Sequence, residues 1–414
     1  MIPKSSSIAT AFDKPKKSSM LWLTGLLTGL ALSLPLNANL IAARFFDRRF
    51  NDPSLSYAFT SFYAAVFLGT KFIGVLTGMS QTSNNNKMSN KASKSVGGLA
   101  AKLLAIVLCM VLLIVQPWVN GYMLFMLIMI VTVAQAMYTS SLEMAAMSTL
   151  TVADPTATQA VFLGQGAAGI WSAGVSLLFR VALPAYLANQ AAVFNYAVSL
   201  LVVGLCAYLW RIFDSADIVE ELPTVQVQVE RDQSTSTLAI AKKLKVEIVA
   251  ILLASAQALT MFPFLINKTA PVEHTPDVFY PLAFFASNAA DMFGRMIPGW
   301  FRHRKGQGKW VLLLQIFRLT AFFVLLVGNL RIQSRALPFQ LYASDTVFFV
   351  TLIISGVING VVYTMTSMLV PIRLQDPDEQ NRGAAIVSMT QMGGAFAGSL
   401  NALTLAYALA SLAQ

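Results

Sequence analysis

The sequence predicts an all-α membrane protein with eleven transmembrane helices, six before a polar linker and five after it. Hydrophobic residues make up 56% of the 414 residues, whereas Asp, Glu, Lys and Arg together make up only 12%. The core of a soluble domain stops growing at about 250–300 residues, so this much apolar sequence needs lipid around it. The composition therefore excludes a cytosolic enzyme, a disulfide-stapled secreted domain and a disordered scaffold.

The spans follow from runs of about 20 mainly apolar residues, the length that crosses a bilayer as a helix. We predict them at 20–43, 55–79, 97–116, 120–149, 156–184, 187–211, 245–266, 278–300, 308–329, 345–370 and 383–411. The segment 212–244 is rich in Asp, Glu, Gln, Ser and Thr, and it is predicted to be a flexible cytoplasmic linker. The remaining predicted regions are a disordered cytoplasmic tail (1–19), an N-terminal six-helix bundle (20–211) and a C-terminal five-helix bundle (245–414).

Lysine and arginine residues indicate the orientation, because the short cytoplasmic loops of membrane proteins are enriched in them. With the N-terminus in the cytoplasm, most basic residues outside the spans fall on the cytoplasmic side. The net charge of +10 is then assigned to topology and to anionic lipid headgroups, and no nucleic acid partner is expected. We predict a multi-pass protein of the plasma membrane or of a vacuolar or lysosomal membrane.

The sequence gives little support to catalytic or metal chemistry. Cys109 and Cys206 lie within apolar runs without zinc or redox spacing, and His274 and His303 lie in polar connections. The sequence also has no Gly-x-x-x-x-Gly-Lys-Ser/Thr run, the loop that cradles nucleotide phosphates. We therefore predict no enzyme activity, no cofactor and no metal site.

Ionisable residues within the spans are the most informative feature of the sequence. A charged side chain at mid-bilayer costs about 2.5–3.5 kcal/mol on insertion scales, so those that persist usually face a polar interior. Asn288, Asp291 and Arg295 of the eighth span are spaced i, i+3, i+7, which places them on one helix face. Together they offer donors and acceptors to a hydroxyl-rich solute. The alternative is an ion pair that only holds helices together.

Glu143 is the other acid deep within a span, the fourth. It could bind substrate, carry a proton or pair with Lys71 of the second span. Alternatively it is neutral and hydrogen-bonded to a nearby Ser or Thr. Because burial favours the uncharged form of a carboxyl group, a protonatable switch is physically reasonable.

Small residues, prolines and aromatic residues supply weaker signals. The runs 164–169 and 393–398 are rich in glycine and let helices approach closely. Pro35 and Pro263 occupy equivalent places in the two predicted bundles, and broken helices in such places often flank a transporter's binding site.

Several short segments, taken in their order along the chain, resemble those of the equilibrative nucleoside transporter family. The most specific match is Asn288-Ala-Ala-Asp-Met-Phe-Gly-Arg295, and it is followed by Lys309-Trp310 and Ile316-Phe-Arg318. The other matches are Pro35-Leu-Asn37, the run 164–169, Met261-Phe-Pro263, Asn359-Gly360 and Gly383-Ala-Ala.

The resemblance implies a two-bundle, major-facilitator-like fold and a carrier of nucleosides and nucleobases that works by alternating access, facilitative or coupled to protons. It implies that Asp291 and Arg295 engage the ribose, and that Glu143 meets the nucleobase where the family usually has Gln. Leu36 departs from the Trp of many relatives. The predicted substrate-binding residues are Asp291, Arg295, Asn288, Glu143, Asn37, Leu40, Phe262 and Phe284.

The alternative function is a general major-facilitator carrier for sugars or drugs. An inter-helix motif of that class also contains Asp-x-x-Gly-Arg, as found at 291–295, where it acts as a gating latch. That class is expected to have twelve spans and a matching motif after the second span, and the segment 78–84 has no such motif. A third class, a membrane receptor or scaffold, would bind ligand without moving solute.

Overall fold

Long α-helices dominate the computed structural model, which describes residues 9–47, 53–84, 102–112, 118–153, 155–182, 190–215, 236–301, 304, 306–332, 335–336, 340–374 and 376–412. The helices are α1 (Ala9–Asp47), α2 (Pro53–Asn84), α3 (Lys102–Leu112), α4 (Gly121–Ala153), α5 (Pro155–Val181), α6 (Gln190–Ser215), α7 (Thr237–Lys243), α8 (Lys245–Thr260), α9 (Ile266–Lys268), α10 (Pro276–Met296), α11 (Gly308–Leu326), α12 (Asp345–Arg373) and α13 (Pro377–Leu412). The kinked segment Met261–Leu265 joins α8 to α9, and a 3-10 turn, Ile297–Trp300, follows α10. Strands β1 (Arg331–Ile332) and β2 (Arg335–Ala336) form an antiparallel pair before α12.

Several of the described helices could cross a membrane by length and composition. They are Ser19–Leu40, Gly121–Glu143, Thr156–Phe179, Gln190–Ile212, Gly308–Leu326 and Asp345–Arg373, with shorter apolar helices at Phe62–Thr77 and Lys102–Leu112. Each of them overlaps a predicted span. The all-helical membrane architecture is thus confirmed, whereas the count of eleven spans divided six and five stays a prediction.

Helix extends into two regions for which the sequence predicts no regular structure. Helix α1 begins at Ala9, within the predicted tail, and α7 lies within the predicted linker. The side chain of Ser236 caps α7 by accepting a hydrogen bond from the backbone N–H of Ala239 at 3.2 Å. Residues 1–8 and 216–235 lie outside the described part of the chain.

The hydrophobic core is divided between α1–α6, here called the N-terminal half, and α7–α13, the C-terminal half. The first core includes Phe162 and Trp210, and the second includes Phe279 and Phe348. A smaller cluster joins the halves, because Phe67 of α2 packs with residues of α13. The two halves therefore meet along α2 and α13, and a second contact joins α5 to α10.

The backbones of helices α1 and α5 lie in direct contact, because glycine residues without a side chain lie at the contact. A Cβ added at Gly29 would collide with the carbonyl oxygen of Val161, and one at Gly164 would collide with the carbonyl oxygen of Leu26. The neighbouring atoms are backbone, which cannot rotate away. The close approach expected from the small-residue run 164–169 is present at Gly164.

Gly29→Ala is expected to lower the thermal stability of the purified protein, because overpacking a close contact costs about 1–3 kcal/mol. Gly204→Ala is the matched control, since a Cβ there meets nothing within 4 Å and the helix propensity gained is the same. Thermal melting in detergent measures the difference. Equal melting temperatures for the two variants would contradict the packing described at Gly29.

The helix is broken at one of the two prolines, Pro35 and Pro263, that occupy equivalent places in the predicted bundles. Phe262 has φ −113° and ψ 125°, an extended conformation that interrupts the helix directly before Pro263. Helix α1, in contrast, is helical throughout, Pro35 included. The side-chain nitrogen of Lys102 donates to the carbonyl oxygen of Leu32, in the turn before Pro35, at 3.2 Å.

Candidate functional site between the two halves

The carboxylate of Asp291 is the centre of a polar group on α10. It accepts a hydrogen bond from Nε of Arg295 at 2.7 Å and another from the amide nitrogen of Asn359, on α12, at 2.6 Å. The ion pair has the i, i+4 spacing that the sequence indicates, and its side chains are 14% and 10% exposed. Asp291 therefore joins α10 to α12 while it balances the charge of a nearly buried guanidinium.

Arg295 also connects α10 to the other half of the molecule. One of its terminal nitrogens lies 2.9 Å from the carbonyl oxygen of Phe162 and 3.3 Å from the side-chain oxygen of Gln165, both on α5. Its guanidinium lies 5.9 Å from the ring centroid of Phe162 and 5.6 Å from that of Tyr363, within the range of cation–π attraction. These contacts close α5 against α10.

Two further residues of α5 complete this contact. The amide nitrogen of Gln159 donates to the carbonyl oxygen of Arg295 at 3.2 Å. Asn288 packs so closely on Gly169 that a Cβ there would collide with the amide oxygen of Asn288, whose nitrogen donates to the carbonyl oxygen of Phe284 at 2.8 Å. Asn288 thus shares the face of Asp291 and Arg295, as its spacing predicts, and this face lies against α5.

Phe262 and Phe284 lie together beside the break after α8. Their ring centroids are 4.8 Å apart and the rings are nearly perpendicular, at 88°. Both are partly exposed and pack against the core of the C-terminal half. The predicted aromatic pair is therefore assembled, at the point where the chain leaves the helical conformation.

Asn37 and Leu40 lie on α1 and are partly exposed. The amide nitrogen of Asn37 donates to the carbonyl oxygen of Ser33 at 3.0 Å, within its own helix. Leu40 packs against the core of the N-terminal half, as does Leu36. The contacts described for Asn37 and Leu40 thus belong to the N-terminal half.

Glu143 is fully buried and forms an ion pair with Lys71 of α2. Of the arrangements that the sequence leaves open for Glu143, the structure shows this pairing. Lys102 of α3 is fully buried as well, and the charges of Lys71 and Glu143 act on it. The N-terminal half therefore contains a buried group of two lysines and one glutamate, and nothing in the sequence indicates that Lys102 belongs to it.

Arg318 of α11 serves the packing of the C-terminal half. Its Nε donates to the hydroxyl of Ser355 at 3.1 Å, and a terminal nitrogen donates to the carbonyl oxygen of Ala254 at 3.1 Å.

Asn359, in contrast, belongs to the site although the predicted substrate-binding residues do not include it. The Asn359-Gly360 pair carried the signal, because Gly360 packs against the backbone of Asp291.

A second polar cluster lies at the start of α12. The side-chain nitrogen and oxygen atoms of Glu273, His274 and Asp345 that could coordinate a metal ion lie within 4.8 Å of one another. The carboxylate of Asp345 accepts backbone hydrogen bonds from Val272, Glu273 and His274 at 2.9–3.1 Å, and Nδ1 of His274 lies 2.9 Å from it. Since these bonds occupy the carboxylate, we assign the cluster to fastening the connection between α9 and α10.

Residues 214–407 match the family model described as nucleoside transporter. This stretch, slightly less than half of the chain, is similar to nucleoside transporters. The match includes α10 and α12, and with them Asp291, Arg295 and Asn359. The predicted resemblance to nucleoside transporters is thus confirmed, and the equilibrative branch stays a prediction.

Solved transporters have a fold similar to that of this chain. The E. coli fucose:proton symporter FucP matches with a TM-score of 0.54 and 14% identity, over 95% of this chain and 97% of that chain. The nucleoside transporter NupG matches with a TM-score of 0.54 and 13% identity, over 95% of this chain and 92% of that chain. FucP is a major facilitator superfamily transporter, so the predicted major-facilitator-like fold is confirmed. No curated protein matches the sequence.

Proposed function

We propose that the chain carries nucleosides and nucleobases across a membrane by alternating access, with six spans before the linker and five after it. The family match and the transporter fold support this proposal. The observation that carries it is the position of Asp291, which binds Arg295 and Asn359 where α10 meets the opposite half. A carboxylate, a guanidinium and an amide supply the acceptors and donors that a ribose needs.

Arg295 links ligand binding to the movement of the halves. While α5 and α10 are in contact, the guanidinium donates to the carbonyl oxygen of Phe162 and to Gln165. Separation of the two helices frees these donors, and the hydroxyl groups of a nucleoside can then replace the lost partners. A ligand shifts such an equilibrium only through contacts that differ between the two states, and Arg295 supplies such a difference.

The nucleobase is assigned to the aromatic pair. Phe262 and Phe284 present ring surface beside an interrupted helix, and interrupted helices form the binding sites of many transporters. We place Asn288 on the sugar with Asp291 and Arg295. Asn37 and Leu40 of α1 form the wall supplied by the N-terminal half.

Glu143 is assigned to proton coupling. In its ion pair with Lys71 the carboxylate is fully buried, so it reaches a nucleobase only if the pair opens. Protonation of Glu143 would remove the attraction that holds α4 to α2 and would let the N-terminal half rearrange. The carrier is facilitative if this group does not change protonation during the cycle.

We propose a cytoplasmic N-terminus and a plasma-membrane, vacuolar or lysosomal location.

Competition for uptake tests the substrate class. Cells that produce the protein are expected to accumulate labelled adenosine, and unlabelled uridine and hypoxanthine are expected to reduce this uptake, whereas fucose has no effect. The likeness to FucP favours a sugar as the second candidate. Saturable fucose uptake that adenosine does not inhibit would replace the proposal with that candidate.

A further inference from the structure

A small cavity lies between the two halves, at the end of the bundle where α5 and α13 begin and α4 and α12 end. Its polar lining comes from Thr158 of α5, Ser367 of α12, and Ser388 and Gln391 of α13. Ser388 and Gln391 are spaced i, i+3 and so share one face of α13. All four of these residues are at least nine-tenths buried.

The hydroxyl of Ser388 has no hydrogen-bond partner among the described residues. A buried polar group without a partner costs about 1–3 kcal/mol, so such groups are normally satisfied by water or by a ligand. The cavity that Ser388 lines is large enough for a water molecule. In contrast, Ser399 of the same helix donates to the carbonyl oxygen of Phe396 at 2.7 Å.

Phe162 connects this cavity to the site on α10. Its carbonyl oxygen accepts a hydrogen bond from Arg295, and the same residue lines the cavity. Movement of α5 away from α10 would therefore break the Arg295 contact and displace one wall of the cavity in a single step.

We propose that this cavity is the closed exit segment of the translocation path, hydrated in this conformation, and that Ser388 and Gln391 hydrogen-bond the nucleoside as it leaves. The inference rests on the proposed function and extends it to residues outside the predicted substrate-binding set. A hydroxyl and a carboxamide each donate and accept hydrogen bonds, which suits the hydroxyl groups and base edges of a departing nucleoside. With the N-terminus in the cytoplasm, the exit faces the cytoplasm.

Cysteine labelling tests this inference in the full-length chain. The protein has two cysteines, and both are buried, so the background is low. The variants are Ser388→Cys and Gln391→Cys. The matched control is Ser399→Cys, which lies on the same helix about 16 Å further along the axis and is equally buried. The probe is a charged, membrane-impermeant maleimide, added to inside-out and to right-side-out vesicles, with and without adenosine.

In inside-out vesicles with adenosine, the thiols of Ser388→Cys and Gln391→Cys are expected to react about tenfold faster than that of Ser399→Cys, because thiol reactivity follows access. Right-side-out vesicles should show no such difference. Equal, slow labelling of all three variants while adenosine uptake persists would overturn the inference, as would labelling from the outer side alone. If Ser388→Cys does not reach the membrane, Gln391→Cys decides the question.

The same vesicles separate this inference from the proposed function. The protein could fail to transport any nucleoside and still be labelled faster at Ser388→Cys than at Ser399→Cys when no nucleoside is present. That result would support a cavity on a path that opens and closes, and it would refute the nucleoside as the transported solute. A chain that moves adenosine but shows equal labelling would keep the carrier and refute the exit segment.

Discussion

Asp291→Ala is expected to reduce nucleoside uptake to background. The carboxylate binds both Arg295 and Asn359, so its loss removes an acceptor for the ribose and leaves a guanidinium nearly buried without its counter-charge. Removing one partner of a buried ion pair costs about 3–5 kcal/mol, so part of the effect is expected in stability. Uptake of labelled adenosine, normalised to the protein found at the membrane, measures the functional part.

The exchange variant Asp291→Asn with Asn359→Asp separates the two contributions. It keeps one carboxylate and one amide at a contact of 2.6 Å, and it moves the charge from α10 to α12. We expect this variant to melt near the parent and still to fail in uptake. Full uptake in the exchange variant would reduce Asp291 to an ion-pair role, and normal uptake in Asp291→Ala would refute the assigned site.

Glu143→Ala is expected to destabilise the protein strongly. The substitution leaves the ammonium of Lys71 buried without a carboxylate. The expected loss is about 3–5 kcal/mol, because the desolvation of the remaining charge is no longer compensated. The melting temperature and the yield of folded protein in detergent measure it.

The double variant Lys71→Met with Glu143→Met is the control for this loss. Replacing a whole buried pair by apolar side chains of similar size is often neutral or stabilising, so most of the stability should return. A double variant as unstable as Glu143→Ala would show that the pair itself is not the source of the effect.

The same pair carries the proposed proton coupling. Uptake by the parent is expected to rise as the external pH falls, and Glu143→Gln, which cannot change protonation, should flatten that dependence. A parent indifferent to external pH would reject coupling and leave a facilitative carrier. A Glu143→Gln variant that keeps the full pH response would move the coupling group elsewhere.

The geometry within α10 could be predicted because it is local. The spacing of 288, 291 and 295 fixes a common face, and the i, i+4 offset allows the ion pair that is present. The partners of Arg295 on α5 could not be predicted in this way. One of them is the backbone carbonyl of Phe162, a group that every residue carries and that no sequence pattern distinguishes.

Glu143 shows the same limit in another form. The sequence locates Glu143 and Lys71 within spans, but a span's position does not determine which neighbour its side chains face. From the sequence, Glu143 could therefore pair with Lys71, contact a ligand or be a neutral acid. Only the packing of α2 against α4 shows that it pairs with Lys71. Ser388 is a further example, since a serine in an apolar helix carries no signal until its hydroxyl is found buried without a partner.

The sequence predicts a linker where the short helix α7 lies, because hydropathy averaged over about 20 residues, the length of a span, does not show so short a helix. Its seven residues, Thr237–Lys243, lie next to a polar stretch and carry two lysines in the last turn. Ser236 is a helix-start signal, because its side chain caps the first turn of α7, but a hydropathy average does not include capping.

Counterflow of adenosine in proteoliposomes tests the central claim most directly. Liposomes that contain the purified protein are loaded with unlabelled adenosine and diluted into labelled adenosine. An alternating-access carrier should accumulate label transiently above its equilibrium level, and Asp291→Ala should abolish that overshoot. Label that never exceeds the level of protein-free liposomes, or an overshoot that is unchanged in Asp291→Ala, would contradict a nucleoside carrier with its site between α5 and α10.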